Sequence, residues 1–280
     1  MREADFYEKT GNGVVKCLLC PHRCIISEGR KGICGVRRNS GGKLYALSYE
    51  MISSIAIDPM RKKPLDFFLP DKSILSVGSH GCNFKCEFCQ NYHISMEMPP
   101  LERMSSDRLC EIALGIKNNA GLAFTYNEPF IWYEYVLETC IKNKRQGLSN
   151  VLVTNGYVEE DPLQNILRHV DAMNIDLKAF RQDFYKKICG GDLKSVKNTI
   201  IQSAKRCHVE ITNMSIPGMN DSDEEMDEMC RWIATVDRST PLHIIPFRPM
   251  YKMKHLPPQN PETIGRLSQI AMRHLDRVVI

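Results

Sequence analysis

The chain has 280 residues, 43% of them hydrophobic and 25% charged, with a formal net charge of +4. That is the composition of a folded globular protein, long enough for one large core with a small appended module. Lys and Arg form no clustered basic face, so no nucleic-acid partner is expected, and no apolar run approaches the ~18 residues of a membrane span.

Residues 1–50 read as a loop-rich, cysteine-bearing module. They open on "MREADFYEKTGNG", which has no apolar signal segment, so a cytoplasmic location is expected. Gly, Pro and Cys punctuate "CLLCPHRCIISEGRKGICG". Two β-leaning stretches, "KLYALSY" (43–49) and "ISSIAI" (52–57), read as a small hairpin that straddles the end of this module. The segment "DPMRKKPLDFFLP" (58–70) carries three prolines and reads as a linker, with Arg61, Lys62 and Lys63 solvated. Residues 51–72 are therefore taken as the rest of the hairpin plus the linker.

From residue 73 to 280 the pattern changes to alternation. Short apolar, β-rich runs stand at 73–78, 121–126, 150–155, 172–177, 208–214 and 242–247. Stretches of helical period stand between and after them, at 105–119, 132–144, 161–170, 195–207, 221–236 and 261–275. Six strands each followed by a helix imply parallel βα units with right-handed crossovers. The expected fold is α/β, a partial (β/α)6 barrel behind a small cysteine-rich metal-binding module. In such folds ligands bind at the carboxyl ends of the strands. There the sequence places the cysteine loop 79–91, "NEP" (127–129), "TNG" (154–156), "DLK" (176–178), "IPGMND" (216–221) and "PFRP" (246–249).

Twelve cysteines in a chain with no secretory feature point to metal or redox chemistry rather than disulfides. Cys82, Cys86 and Cys89 form a C-x3-C-x2-C array. A zinc site with a distant fourth ligand is one reading, but structural zinc favours two C-x2-C-like pairs in a closed tetrahedron. Three close cysteines fit a [4Fe–4S] cluster with one iron free of protein ligands.

"CNFKCEFC" resembles the signature of the radical S-adenosylmethionine (SAM) superfamily. The resemblance implies that the free iron is chelated by SAM. One electron from the cluster then cleaves the sulfonium to a 5'-deoxyadenosyl radical that abstracts hydrogen from substrate. Cys82, Cys86 and Cys89 match the cluster ligands, and Phe88 the aromatic residue near the adenine. "TYNEP", "VTNGYV" and "NIDLKAF" resemble pyruvate formate-lyase activating enzymes. They imply that Asn127, Glu128, Asn155, Asp176 and Lys178 line the SAM site, with Glu128 accepting from the methionine ammonium. Arg248 is carried over to the same site, although a histidine is the family's residue near there. Val153 stands where those enzymes have an acid. The opening "CLLCPHRC…GICGVR", the stretch before Cys82 and "TYNEPFIWYEY" resemble the radical SAM member of the AmmeMemoRadiSam gene set over essentially the whole chain. Members of that family often extend past "LDRVVI", so the resemblance implies that this copy lacks a C-terminal segment that they carry.

Cys17, Cys20, Cys24 and Cys34, spaced x2, x3 and x9, form a second expected metal site, zinc or iron–sulfur, that staples the module. Cys110, Cys140, Cys207 and Cys230 read as small core residues. Cys189, beyond the fourth strand end, is a candidate for the pocket and for a catalytic role as hydrogen donor. His22, His80 and His93 read as solvated or as neighbours of the metal sites.

The expected activity is radical SAM chemistry on a small molecule or a partner-protein residue, fed by flavodoxin or ferredoxin. One alternative is an activase installing a glycyl radical on a large partner. The Asp-Gly-x-Gly-x-Arg stretch of such activases is absent before Cys82. A remote alternative is a non-enzymatic zinc-binding interaction protein.

Overall fold

The computed structural model describes residues 2–280. Its centre is one eight-stranded sheet whose strands stand side by side in chain order: β1 (Ser54–Pro59), β2 (Ser73–Gly78), β3 (Asn119–Phe124), β4 (Ser149–Thr154), β5 (Ala172–Asp176), β6 (His208–Ser215), β7 (Leu242–Pro246) and β8 (Val278–Val279). β2 to β8 pair in parallel, each with its successor, and β1 pairs antiparallel with β2. The first and last strands do not pair with each other, so the sheet is an open barrel.

Helices α1 (Ser106–Gly115), α2 (Tyr133–Arg145), α3 (Glu160–Ile166), α4 (Leu193–Ala204), α5 (Asp223–Asp237) and α6 (Pro261–Ala271) supply the crossovers and follow the expected chain order. Their starts are set by local chemistry. Ser105 accepts from the Arg108 N–H, Asp192 from Ser195 and Ser222 from Glu225, each satisfying one of the otherwise orphaned N-terminal donors. Their apolar stripes bury Leu109, Ile200, Ile233 and Leu267 completely. β2 to β5 are nearly buried throughout, as strands covered on both faces are. Among the described residues no helix is long and apolar enough to cross a membrane.

The hairpin expected over 43–57 does not form. Residues Lys43–Ala46 pair instead with Arg37–Ser40 across Gly41 and Gly42, while Ser54–Pro59 joins the barrel as β1. Both strands are real, but alternation along a strand says nothing about its partner.

The proline-rich segment is also more than a linker. Met60, Leu65 and Ile74 share a core cluster with Ala120, Val151 and Ala172 at the amino ends of the strands, so the segment closes that end of the barrel. Glu210 on β6 fastens it. Its carboxylate accepts from the backbone N–H groups of Asp66 and Phe67 at 3.0 and 2.8 Å and meets His208 and His243 at 2.8 and 2.6 Å. Burial alone would raise the Glu210 pKa, yet these hydrogen bonds hold it down at about 2.

Residues 2–46 form two small three-stranded antiparallel sheets, one of which takes in Val14–Cys17. The buried Arg37 bridges them to the barrel. Its guanidinium donates to the Glu134 carboxylate on α2 at 2.5 Å and to the Asp5 carbonyl at 2.8 Å.

Candidate active site

The loop after β2 is pinned on three sides. Both ends of the Asn127 amide are committed to it: Oδ1 accepts from Ser79 N at 2.9 Å, and Nδ2 donates to the carbonyls of His80 and Gly81. On the far side Lys85 N donates to Cys189 O at 2.7 Å and Glu87 N to Ile188 O at 3.2 Å. Phe84 packs between Tyr157 and Tyr185, with ring centroids 4.9 and 6.0 Å away.

These restraints bring Cys82, Cys86 and Cys89 to the wall of one cavity of about 340 Å³. Cys82 Sγ accepts from Phe84 N at 3.4 Å and from Asn155 Nδ2 at 3.6 Å. Burial pushes the Cys82 and Cys89 thiols up, and the neighbouring Cys189 followed by burial does the same for Cys86. A nearby metal cation would favour the thiolate at each. Among the described residues no three Cys, His, Asp or Glu side chains are gathered tightly enough to hold a metal ion as they stand.

Facing the thiols is Glu128, 2% exposed. Oε1 accepts from Thr154 Oγ1 at 2.7 Å and from Phe130 N at 3.0 Å, and Oε2 accepts from Asn155 N at 2.8 Å. Burial pushes its pKa up to about 7 against those three hydrogen bonds, with Asp176 adding repulsion. An ionised carboxylate offers about four lone-pair sites, so one direction is left for a donor in the cavity.

Beside it Lys178 Nζ lies 2.7 Å from Asp176 Oδ2 and 5.8 Å from the Phe88 ring centroid. Burial works against the Lys178 charge, but Asp176 and Cys86 raise its pKa overall. Asn155 Nδ2 also donates to Asn83 Oδ1 at 2.9 Å.

Six expected site residues outside the cysteine trio therefore share the cavity: Phe88, Asn127, Glu128, Asn155, Asp176 and Lys178. Arg248 does not. It is exposed on the turn after β7 and lines no part of the cavity. Cys189 is fully buried behind the loop, against Cys86 rather than in the cavity, so it is not placed to meet a substrate. Val153 contributes an apolar wall. His93 is exposed, whereas His80 is 5% exposed with its pKa lowered by burial.

Other contributors were hidden from the sequence. Lys62, Lys63 and Pro64 line the cavity from the segment that closes the barrel, and Asn174, Thr212 and Ile245 line it from β5, β6 and β7. Lys63 is 3% exposed rather than solvated. It and Lys62 both reach Asp58, which also accepts from Tyr126 Oη at 3.0 Å. Tyr126 holds a φ of +71°, a strained conformation for a bulky residue, directly before Asn127 and Glu128. The spacing of Asp58 and Lys63 gave the one available hint, since five residues can return to the same side after a tight turn.

Three thiols opening on a cavity walled by carboxylates, amides and an ammonium suit a thiolate-bound metal cluster with a charged organic ligand beside it. Comparison with known proteins agrees. Residues 76–233 match the model of the Radical SAM superfamily. The uncharacterized protein MJ0808 of Methanocaldococcus jannaschii is 40% identical over 277 residues, which is 97% of this chain and 82% of that protein. The pyruvate formate-lyase-activating enzyme of Clostridium pasteurianum is 24% identical over 179 residues, 60% of this chain and 72% of that enzyme. Among solved structures, a radical SAM methyltransferase from Sphaerobacter thermophilus superposes with a TM-score of 0.57 at 16% identity, over 75% of this chain and 66% of that one, a likeness of fold. The matched region spans more than half of the chain and contains the three-cysteine loop, Glu128 and the Asp176–Lys178 strand end: the chain belongs to the radical SAM superfamily.

Proposed function

We propose that this chain cleaves SAM reductively at a cluster held by Cys82, Cys86 and Cys89, and that it uses the resulting radical to abstract hydrogen from a small molecule or a partner-protein residue. The observation that carries the reading is that the three thiols, Glu128 and the Asp176–Lys178 pair all open on the same cavity. The donor set fits a [4Fe–4S] cluster: three thiols without a fourth cysteine on the cavity wall, and N–H groups aimed at Cys82 Sγ. When bound, the cluster supplies the single electron that breaks the sulfonium C–S bond.

The chain's own residues do the rest. The remaining lone-pair direction of Glu128 takes an ammonium, and the three N–H and O–H groups behind it fix where that ammonium sits. Lys178, steered by Asp176, presents its charge to a carboxylate. Asn155 ties the two regions together, since its backbone holds Glu128 while its side chain holds Asn83 and Cys82. Asn127 spends both Nδ2 hydrogens and one Oδ1 lone pair on holding 79–81, which leaves a single acceptor direction on Oδ1 for a ligand.

A flavodoxin or ferredoxin is the reductant class that matches such a cluster. A stand-alone reaction is favoured over glycyl-radical installation because the barrel is floored by its own chain, with Lys62, Lys63 and Tyr126 presenting polar groups to a substrate held inside. The relationship to an activating enzyme from Clostridium pasteurianum supports the activase reading as the second.

Anaerobic reconstitution tests the proposal. Wild-type protein should bind about four irons at this site, and on dithionite addition it should release 5'-deoxyadenosine from SAM. A Cys82→Ala, Cys86→Ala, Cys89→Ala variant should do neither. A wild-type protein that takes up zinc alone and leaves SAM intact refutes it.

A further inference from the structure

The cysteines of the N-terminal module meet around a second, separate space. Cys17 ends the strand Val14–Cys17 and its N–H donates to Cys24 O at 2.9 Å; Arg23 N closes the intervening turn on Cys20 O at 3.0 Å. Cys17, Cys20 and Cys34 are 6%, 8% and 9% exposed, and all four sulfur-bearing residues line one small cavity of about 10 Å³. Gly32 lies close against Cys24, where a Cβ would stand 3.5 Å from its Sγ.

Such a space holds about one water. Four cysteines are a poor choice for filling it by packing alone. The remaining lining is apolar apart from His22 and Arg37.

Arg37 points to what the space is for. It is 1% exposed, and two of its three nitrogens are spoken for by Asp5 and Glu134. The third, Nε, is buried with no hydrogen-bond partner among the described residues, in a side chain that lines this cavity. An orphaned buried donor costs about 1–3 kcal/mol, and the acceptors at hand are sulfurs. Its charge acts on Cys17 and Cys34 in particular. N–H donors aimed at cysteine sulfurs are the outer shell that metal-bound thiolates characteristically gather.

We propose that Cys17, Cys20, Cys24 and Cys34 bind a metal centre of the thiolate-preferring kind, a zinc ion or an iron–sulfur cluster, with the Arg37 Nε–H donating to a ligand sulfur. Each ligating thiol releases its proton to solvent as its bond to the metal forms. The centre is braced against the radical site. His22, inside the turn between Cys20 and Cys24, places Nε2 2.8 Å from the carbonyl oxygen of Asn83, the residue after Cys82, and Leu19 O accepts from Glu159 N at 3.1 Å. Filling the site therefore fixes the turn on which the Cys82 loop rests.

The proposal is independent of the reaction assigned above, and so is its test. In the Cys82→Ala, Cys86→Ala, Cys89→Ala variant, purified anaerobically from iron- and zinc-supplemented cells, one centre should remain. Zinc gives about one ion per chain and no colour; an iron–sulfur cluster gives iron with matching sulfide and visible absorption. Adding Cys20→Ser and Cys24→Ser should remove either. A triple variant with less than a tenth of an equivalent of both metals overturns the proposal. Should that variant fail to fold, the wild-type chain serves: alkylation mapped by mass spectrometry should spare Cys24, the most accessible of the four, until a chelator strips the metal. Equal labelling before and after chelation overturns it as well.

Discussion

Lys63 Nζ lies 2.7 Å from Asp58 Oδ2, and both side chains are almost completely buried at the floor of the cavity. Hydrogen bonds from Lys62 and Lys63, working against burial, hold the Asp58 carboxyl well below its usual range. The pair is asymmetric. Asp58 keeps Lys62 and Tyr126 if Lys63 is lost, whereas Lys63 has no second anion if Asp58 is lost. Stranding a buried charge costs about 3–5 kcal/mol, and the stranded charge here would be the lysine's. Asp58→Asn should therefore lower the urea-unfolding free energy by that order, and Lys63→Met by clearly less. Equal losses would mean that Lys62 and Tyr126 do not share the carboxylate.

At the same closed end of the barrel, Glu210 gives the fold an acid-sensitive fastening. Its folded pKa of about 2 lies below the ordinary carboxylate value, so its ionisation stabilises the fold fully above that ordinary value of about 4.5. The contribution fades as pH falls toward 2. A shift of this size is worth about 3 kcal/mol at neutral pH. The stability difference between wild type and Glu210→Gln should be largest above pH ~5 and shrink steadily on acidification, as read from denaturant curves at a series of pH values. A difference that stays constant with pH would remove Glu210's charge from the account.

Glu128 titrates in the opposite sense. Its pKa is pushed up to about 7, so the carboxylate takes up a proton as pH falls through neutrality and loses the charge that an ammonium would meet. SAM affinity of the reconstituted protein should be constant above pH ~7.5 and drop up to about tenfold per pH unit below pH ~6.5. Glu128→Gln should bind weakly at every pH, with no such slope, because the amide cannot ionise. Equilibrium binding measured from pH 5.5 to 8.5 checks both. A wild-type profile as flat as the variant's would place the ammonium elsewhere.

How far the sequence revealed this site follows from where each residue's partners lie. The parallel strands announce themselves as short runs buried on both faces, and residues at their carboxyl ends converge by topology alone, which is why Glu128, Asn155, Asp176 and Lys178 could be expected to share one cavity. β1 was visible as a strand but assigned the wrong neighbour. Its real partner, β2, lies beyond a proline-rich segment that reads as a linker. Lys63 was misjudged for the same reason: three consecutive basic residues look solvated until Asp58 on β1 turns inward beneath them. Arg248 lies off the cavity because the segment after β7 leaves it exposed, and nothing in "PFRP" fixes that direction. Asn127 lines the cavity as expected, and the folded chain adds a second task, since both ends of its amide hold the loop.

Gly81 joins the two cysteine-bearing regions. Its φ of +79° lies where glycine is favoured, and a Cβ there would stand 2.5 Å from the carbonyl oxygen of Cys34 and 2.9 Å from Val36 Cγ1. The first of these is backbone and cannot rotate aside. Gly81→Ala therefore combines left-handed strain with a clash that only separation of the Cys34 turn from the cysteine loop relieves. A stability loss of about 2–4 kcal/mol is expected. Because the loop also carries Cys82, cluster loading and SAM cleavage should fall in the folded fraction too, by more than the population unfolded accounts for. Iron content per folded chain, quantified after size exclusion, separates the two effects. A Gly81→Ala protein of normal iron content and altered stability alone would show that the contact with Cys34 supports the fold without ordering the ligands.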